Sequence, residues 1–144
     1  MLSKGSFKGA RLQYADLSGA ELSEAALDNA DLSFAKAPGA RLLRASLRGT
    51  NLSGTDLTGA DLKEANAEGG NLSNSNISKA LMTKSCLKGA NLSQSILFGA
   101  DMSEAEMSKA QATGANFEGV SLERADLTSA MVLHSKGSSS WAPT

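Results

Sequence analysis

An apolar residue recurs at every fifth position of this chain without a slip. From Phe7 to Val132, every residue whose number ends in 2 or 7 is apolar, giving 26 consecutive five-residue units. An α-helix turns about 100° per residue, so steps of five scatter these side chains around its whole circumference. A plain strand fails too, because residues five apart point to opposite faces. The period fits a chain that runs extended for three residues and then turns a corner in two. With the large apolar residue at position i, residues i−2 and i point inward, i−1 points outward, and i+1 and i+2 form the corner. Glycine at i+2 in units such as "FKGA", "LSGA" and "LTGA" supports this, because it tolerates the positive φ of tight turns. The unbroken repetition predicts a solenoid held together by contacts between successive coils.

Charge decides how many sides a coil has. If four units complete one coil, residue i+20 stacks on residue i about 4.8 Å away, and opposite charges should meet there. One corner column reads Lys4, Glu24, Arg44, Glu64, Lys84, Glu104, Arg124, and a second reads Lys8, Asp28, Arg48, Glu68, Lys88. Across the chain a spacing of 20 yields 15 opposite-sign pairs and one like-sign pair, Glu106 with Asp126. A spacing of 15 yields three of each, and a spacing of 25 yields three opposite and five like. The charges select four sides. Exposed pairs contribute little singly, but together they penalise slippage of one coil on the next. The interior then stacks Leu12, Leu32, Leu52, Leu72 and Leu92 in one column, with small residues at i−2 filling the rest. Ala37, Ala67 and Ala112 replace the large central residue, and local narrowing or small voids are expected there.

The stretches "ADLSGAELSEA" (15–25), "TNLSGTDLTGADLKEA" (50–65) and "GANLS" (89–93) resemble the A-[DN]-L-x-x signature of the pentapeptide-repeat family. The resemblance covers about nine-tenths of the chain. It implies an all-β fold, a right-handed quadrilateral parallel β-helix with four pentapeptides per coil; the handedness comes from the resemblance alone. About 6.5 coils give a rod roughly 30 Å tall. The reading divides the chain into a β-helix over 1–134 and a Ser-rich, mobile tail over 135–144, "SKGSSSWAPT", whose Trp141 is a candidate cap for the last coil.

An enzyme needs polar groups converging in a pocket. Here the interior is Leu and Ala, the sides are shallow and uninterrupted, and the one histidine, His134, lies in the last unit. The plentiful Asp and Glu recur because the repeat places them at i−1 and at corners. No catalytic residue, cofactor or metal is expected. Arg41, Arg44 and Arg48 have acidic neighbours a coil away and read as a self-neutralised surface. With 14 basic and 15 acidic residues, the chain carries no nucleic-acid footprint. A single cysteine, Cys86, excludes an intrachain disulfide and reads as a plain surface thiol. No apolar run is long enough to span a membrane and no signal peptide is visible, so a soluble, cytoplasmic protein is the default expectation. The triplets at Asn51, Asn71, Asn76 and Asn91 match N-glycosylation sequons, but Asn-Leu-Ser is itself a common form of the repeat.

Outward apolar residues are scarcer and more informative. Leu81 and Ile96 stand at i−1, where Asp or Asn is usual, and Leu43 and Phe98 stand at the first corner position. Tyr14 and Phe34 lie one coil apart in a corner column and should stack. Leu81, Ile96 and Phe98 fall near one edge in the fifth coil. These six residues are the candidate protein contacts. The leading functional expectation is a non-enzymatic structural scaffold that docks on protein partners by its faces, edges or ends, end-to-end self-association included. A second expectation follows from the resemblance: well-studied family members protect DNA gyrase by imitating duplex DNA. That role implies a continuous acidic face and often a protruding loop, and neither is visible here. A remote third is ice binding, through the rows of Asn51, Asn71 and Asn91 with Ser53, Ser73 and Ser93 on one flat side.

Overall fold

The computed structural model describes residues 2–137, and within that span the chain winds as a four-sided coil. Every β-bridge is parallel and joins residues 20 apart, from Ser6 with Ala26 to Asn116 with Lys136. Successive bridges fall on four sides, here lettered in chain order from residue 11. Side A carries the ladder Arg11–Asp31–Asn51–Asn71–Asn91–Gln111–Met131. Side B runs from Asp16 to Lys136, side C from Glu21 to Ser121, and side D from Ser6 to Asp126. The ladder therefore continues through Lys136, past the boundary drawn at residue 134. Residues 138–144 of the expected tail, Trp141 among them, lie outside the described residues.

Each unit spends its backbone on its neighbours. On side D, the Ala26 N–H donates to the Gly5 carbonyl at 2.9 Å, and the Ala26 carbonyl accepts from the Phe7 N–H at 2.7 Å. The corner joins the same axial network, since the Gly9 N–H donates to the Asp28 carbonyl at 2.9 Å. Within the unit, the Ala10 N–H closes the turn on the Phe7 carbonyl at 3.0 Å. All corners share positive φ at i+2, but many are not glycine: φ is 55° at Arg44, 56° at Glu64 and 58° at Phe34. A side chain in this region costs about 1–2 kcal/mol. The axial and turn hydrogen bonds on both sides of the corner hold it there.

The core is the stacked column set read from the sequence. Leu27, Leu47, Leu57, Leu87, Leu92 and Leu97 are fully buried, and the central residues of the first and last described coils are only partly so. Ala37, Ala67 and Ala112 are sealed from solvent as well. Beside Ala67 the wall is tight, because a Cβ added at Gly70 would lie 3.1 Å from the Ala67 carbonyl oxygen. Inward hydroxyls do more than fill space. Thr50 and Thr55 donate to the Leu27 and Leu32 carbonyls of the coil below at 2.7 and 2.8 Å, whereas Ser95 donates to Leu92 of its own coil at 2.6 Å.

Ser85 differs, because its buried hydroxyl has no hydrogen-bond partner among the described residues. Its column otherwise reads Gly5, Ala25, Ala45, Ala65, Ala105 and Ala125. An unsatisfied buried hydroxyl is costly and alanine keeps nearly the same volume. Ser85→Ala is expected to raise stability by about 1 kcal/mol, seen as a higher urea midpoint with an unchanged slope. A lower midpoint would mean the hydroxyl has a partner.

Candidate functional site: an apolar edge on a charge-paired rod

The charge columns close as ion pairs. Arg44 donates to Glu64 through Nε at 2.8 Å and through Nη2 at 3.3 Å. Lys4–Glu24, Lys8–Asp28, Arg48–Glu68, Lys84–Glu104 and Arg124–Glu104 are likewise 20 apart, as is Arg41 with Glu21. The hydrogen bond from Arg44 holds the Glu64 carboxyl below the usual range, and the Arg44 guanidinium is shifted up in return. Glu24 acts on Arg44 only through its field. Two pairs depart from the column rule. Lys88 reaches Glu106 at 2.7 Å, two residues short of its vertical neighbour Ser108, and Lys63 turns to Asp61 of its own unit.

The outward Asp and Asn residues have a structural use that their frequency alone does not reveal. Each accepts the N–H two residues on and so braces the corner: Asp16 from Ser18, Asp31 from Ser33, Asn71 from Ser73, Asp101 from Ser103. This is the Asx-turn, and the recurrent Asp-x-Ser and Asn-x-Ser triplets are its signature. On side A the amides also bond vertically, with Asn51 Nδ2 donating to Asp31 at 3.0 Å and Asn71 Nδ2 to Asn51 at 3.3 Å. The side-chain amides of Asn51, Asn71 and Asn91, part of the row that suggested ice binding, are thus engaged in the rod's own structure.

These bonds make the carboxylates stronger acids. Asp16, Asp31, Asp101 and Asp126 are held below the ordinary Asp range chiefly by hydrogen bonds from the Ser or Thr two residues on, and Asp28 chiefly by the Ser46 hydroxyl. Where the folded pKa lies below the unfolded one, the unfolded chain binds more protons, so stability rises with pH across that window. The contribution is complete above about pH 5 and is lost as pH falls below about 4. Melting temperature is expected to be flat from pH 8 to 5 and to fall steeply between pH 4 and 2; a flat profile to pH 2 would contradict it.

Of the six candidate contacts, Tyr14 and Phe34 stack as expected, with ring centroids 5.4 Å apart and planes 11° from parallel. They are 75% and 55% exposed, so the pair forms an aromatic shelf on the edge between sides A and B. Leu43, at its corner position, is half-buried. Leu81, Ile96 and Phe98 are 38%, 46% and 48% exposed. Ile96 lies on side B between Asn76 and Asn116, and Leu81 on side C between Asp61 and Asp101. Phe98 occupies the corner that joins those two sides, and Leu81 sits one coil below Asp101, so the three share one edge across two successive coils. Met131, Leu133 and Leu2 are also exposed, at the two ends of the described span. They were not singled out from the sequence, although the rule that found Leu81 and Phe98 also applies to Met131 and Leu133.

Cys86 is a half-buried free thiol in the side D ladder between Asn66 and Glu106. Among the described residues, no group of three or more His, Cys, Asp or Glu could hold a metal ion, and no helix is long and apolar enough to cross a membrane.

No curated protein sequence matches the chain. Among solved structures, it is similar to HetL of Nostoc sp. strain PCC 7120, a pentapeptide repeat protein involved in heterocyst differentiation regulation. The identity is 26% and the TM-score 0.60, over 93% of this chain and 75% of that one. It is similar to the pentapeptide repeat protein Rfr23 of Cyanothece 51142 at 30% identity and TM-score 0.59, over 67% of this chain and 63% of the other. The plasmid-mediated fluoroquinolone resistance protein QnrB1 shares the fold, with 20% identity and TM-score 0.57 over 94% and 82%. The coil is accordingly the right-handed β-helix of these structures. A family model for pentapeptide repeats matches in eight copies, over residues 6–42, 25–63, 40–78, 60–97 and 97–128. The period, the four-fold stacking and these likenesses agree, and the chain belongs to the pentapeptide-repeat family.

Proposed function

We propose that this rod is a non-enzymatic protein-interaction module that docks on a protein partner through the edge between sides B and C. One observation carries the reading: Leu81, Ile96 and Phe98 stand exposed together, away from the ends of the described span, on one edge of a scaffold tied coil to coil by its backbone. Single exposed apolar residues are ordinary, but a cluster on a rigid surface marks an interaction site. A preformed edge also loses little conformational entropy on binding. The alternation of sign along the corner columns weighs against imitation of duplex DNA, which needs a continuous acidic face. The likeness to QnrB1 speaks only for the fold.

The test uses residues the repeat itself prefers. The triple variant Leu81→Asn, Ile96→Asn, Phe98→Ser restores the usual outward residues and should melt like the parent. Affinity capture from native extract is expected to recover a partner with the parent chain and to lose it with the variant. Identical captured proteins from both would overturn the reading, as would a parent that captures nothing.

A further inference from the structure

The corner column at that edge reads Gly19, Gly39, Gly59, Lys79, Gly99, Gly119 at its positive-φ position. Among the described residues, Lys79 is the single side chain in the column, held at φ 58° where its neighbours are glycine at 62–69°. Elsewhere the long side chains at such corners are mostly matched vertically, as in the column from Lys4 to Arg124. Lys79 stacks between two glycines, has no acidic residue one coil away in its column, and takes no part in the nine ion pairs among the described residues. Positive φ is common to all the corners; what sets Lys79 apart is a charge left unmatched in a glycine column, which points to a use outside the fold.

Its position suggests that use. The Lys79 N–H donates to the Phe98 carbonyl at 2.9 Å, so Lys79 lies directly beneath the Phe98 corner. Its Cγ comes within 3.8 Å of where a Gly99 Cβ would stand, which sets the aliphatic stem against the glycine above. Leu81 follows two residues later on side C, and Ile96 precedes Phe98 on side B. The exposed Lys79 thus stands at the corner that the three exposed apolar residues flank. The acids on side C beside it are otherwise engaged: Asp61 pairs with Lys63, and Asp101 accepts from Ser103 and Thr83. Glu118 lies in the coil above Phe98.

Resting on the docking reading above, we infer that the partner segment presents a carboxylate flanked by apolar residues, with Lys79 receiving the carboxylate and Leu81, Ile96 and Phe98 receiving the apolar side chains. Lys109 supplies the contrast. It too is a positive-φ lysine without a vertical acid, between Gly89 and Ser129, but the positions that Leu81, Ile96 and Phe98 hold around Lys79 are Gln111, Asp126 and Thr128 around Lys109, and the exposed Met131 lies one coil above Gln111.

The experiment measures fluorescence anisotropy with three labelled decapeptides, identical except for a central Glu, Gln or Lys set between leucine and phenylalanine. The parent chain is expected to bind the Glu peptide about three- to fivefold more tightly than the Gln peptide, and the Lys peptide most weakly. Lys79→Gln should erase the Glu-over-Gln preference, while Lys109→Gln and Glu118→Gln should keep it. The triple apolar variant should bind none of the three. Equal affinity for the Glu and Gln peptides overturns the carboxylate assignment and leaves the docking edge standing, since capture by the parent tests that edge separately. Equal loss with Lys109→Gln would reduce the effect to bulk charge and overturn the assignment as well. No binding of the Glu peptide by the parent also overturns it.

Discussion

Leu87→Ala is expected to lower the unfolding free energy by about 4–5 kcal/mol, the upper end for leucine truncation in a packed core. Leu87 is fully buried at the centre of side D, with Ala67 directly below it in the column. Truncation would put two alanines one above the other, and the backbone cannot close over the space. The coil spacing there is set by hydrogen bonds on both faces: the Leu87 N–H donates to Glu106 at 2.7 Å and the Cys86 N–H to Ala65 at 2.9 Å. Leu12→Ala in the first coil removes the same atoms from a partly buried site, and should cost about 2 kcal/mol or less. Urea unfolding followed by far-ultraviolet circular dichroism measures both. Equal losses would mean that the interior relaxes freely and that burial does not rank the coils.

Gly54→Ala is the second large effect, at about 2–3 kcal/mol. Two costs add. The corner holds φ at 66°, where a side chain costs about 1–2 kcal/mol. An added Cβ would also stand 2.6 Å from Phe34 Cδ1 and 2.7 Å from Cε1, so the ring must leave its place over the glycine. Displacing it breaks the stack on Tyr14, worth about 0.5–1.5 kcal/mol. Gly59→Ala isolates the first cost, because nothing lies within 4 Å of its Cβ position at a φ of 64°. Phe34→Ala should couple with Gly54→Ala and leave only the backbone strain in the double variant, while adding independently to Gly59→Ala. Additivity at both glycines would remove the ring from the account of residue 54.

Much of the candidate edge was legible before any coordinates. Leu81, Ile96 and Phe98 break a strict outward pattern, and a rod of fixed register converts their numbers directly into positions. The Tyr14–Phe34 stack followed the same way, since the two differ by one coil. Lys79 was not legible as special, because a lysine at a corner looks like Lys84 or Lys4 until its column is laid out and found to be glycine. The half-burial of Leu43 depends on what the adjacent coils lay beside it. The Lys88–Glu106 pair was missed because a flexible lysine can choose between the column above it and the side next to it.

The sequence by itself determined the coil. A five-residue period and a twenty-residue charge alternation are translational symmetries of the chain, and in a solenoid translation along the sequence is translation along the rod. Only the tertiary structure decided how each side chain ends. Positive φ at Arg44 or Phe34, the reach of Thr50 and Thr55 to the coil below, and the lack of a partner for Ser85 among the described residues depend on axial hydrogen bonds and packing between successive coils. Such contacts arise when one coil settles on the next, and the local sequence of a single unit does not contain them.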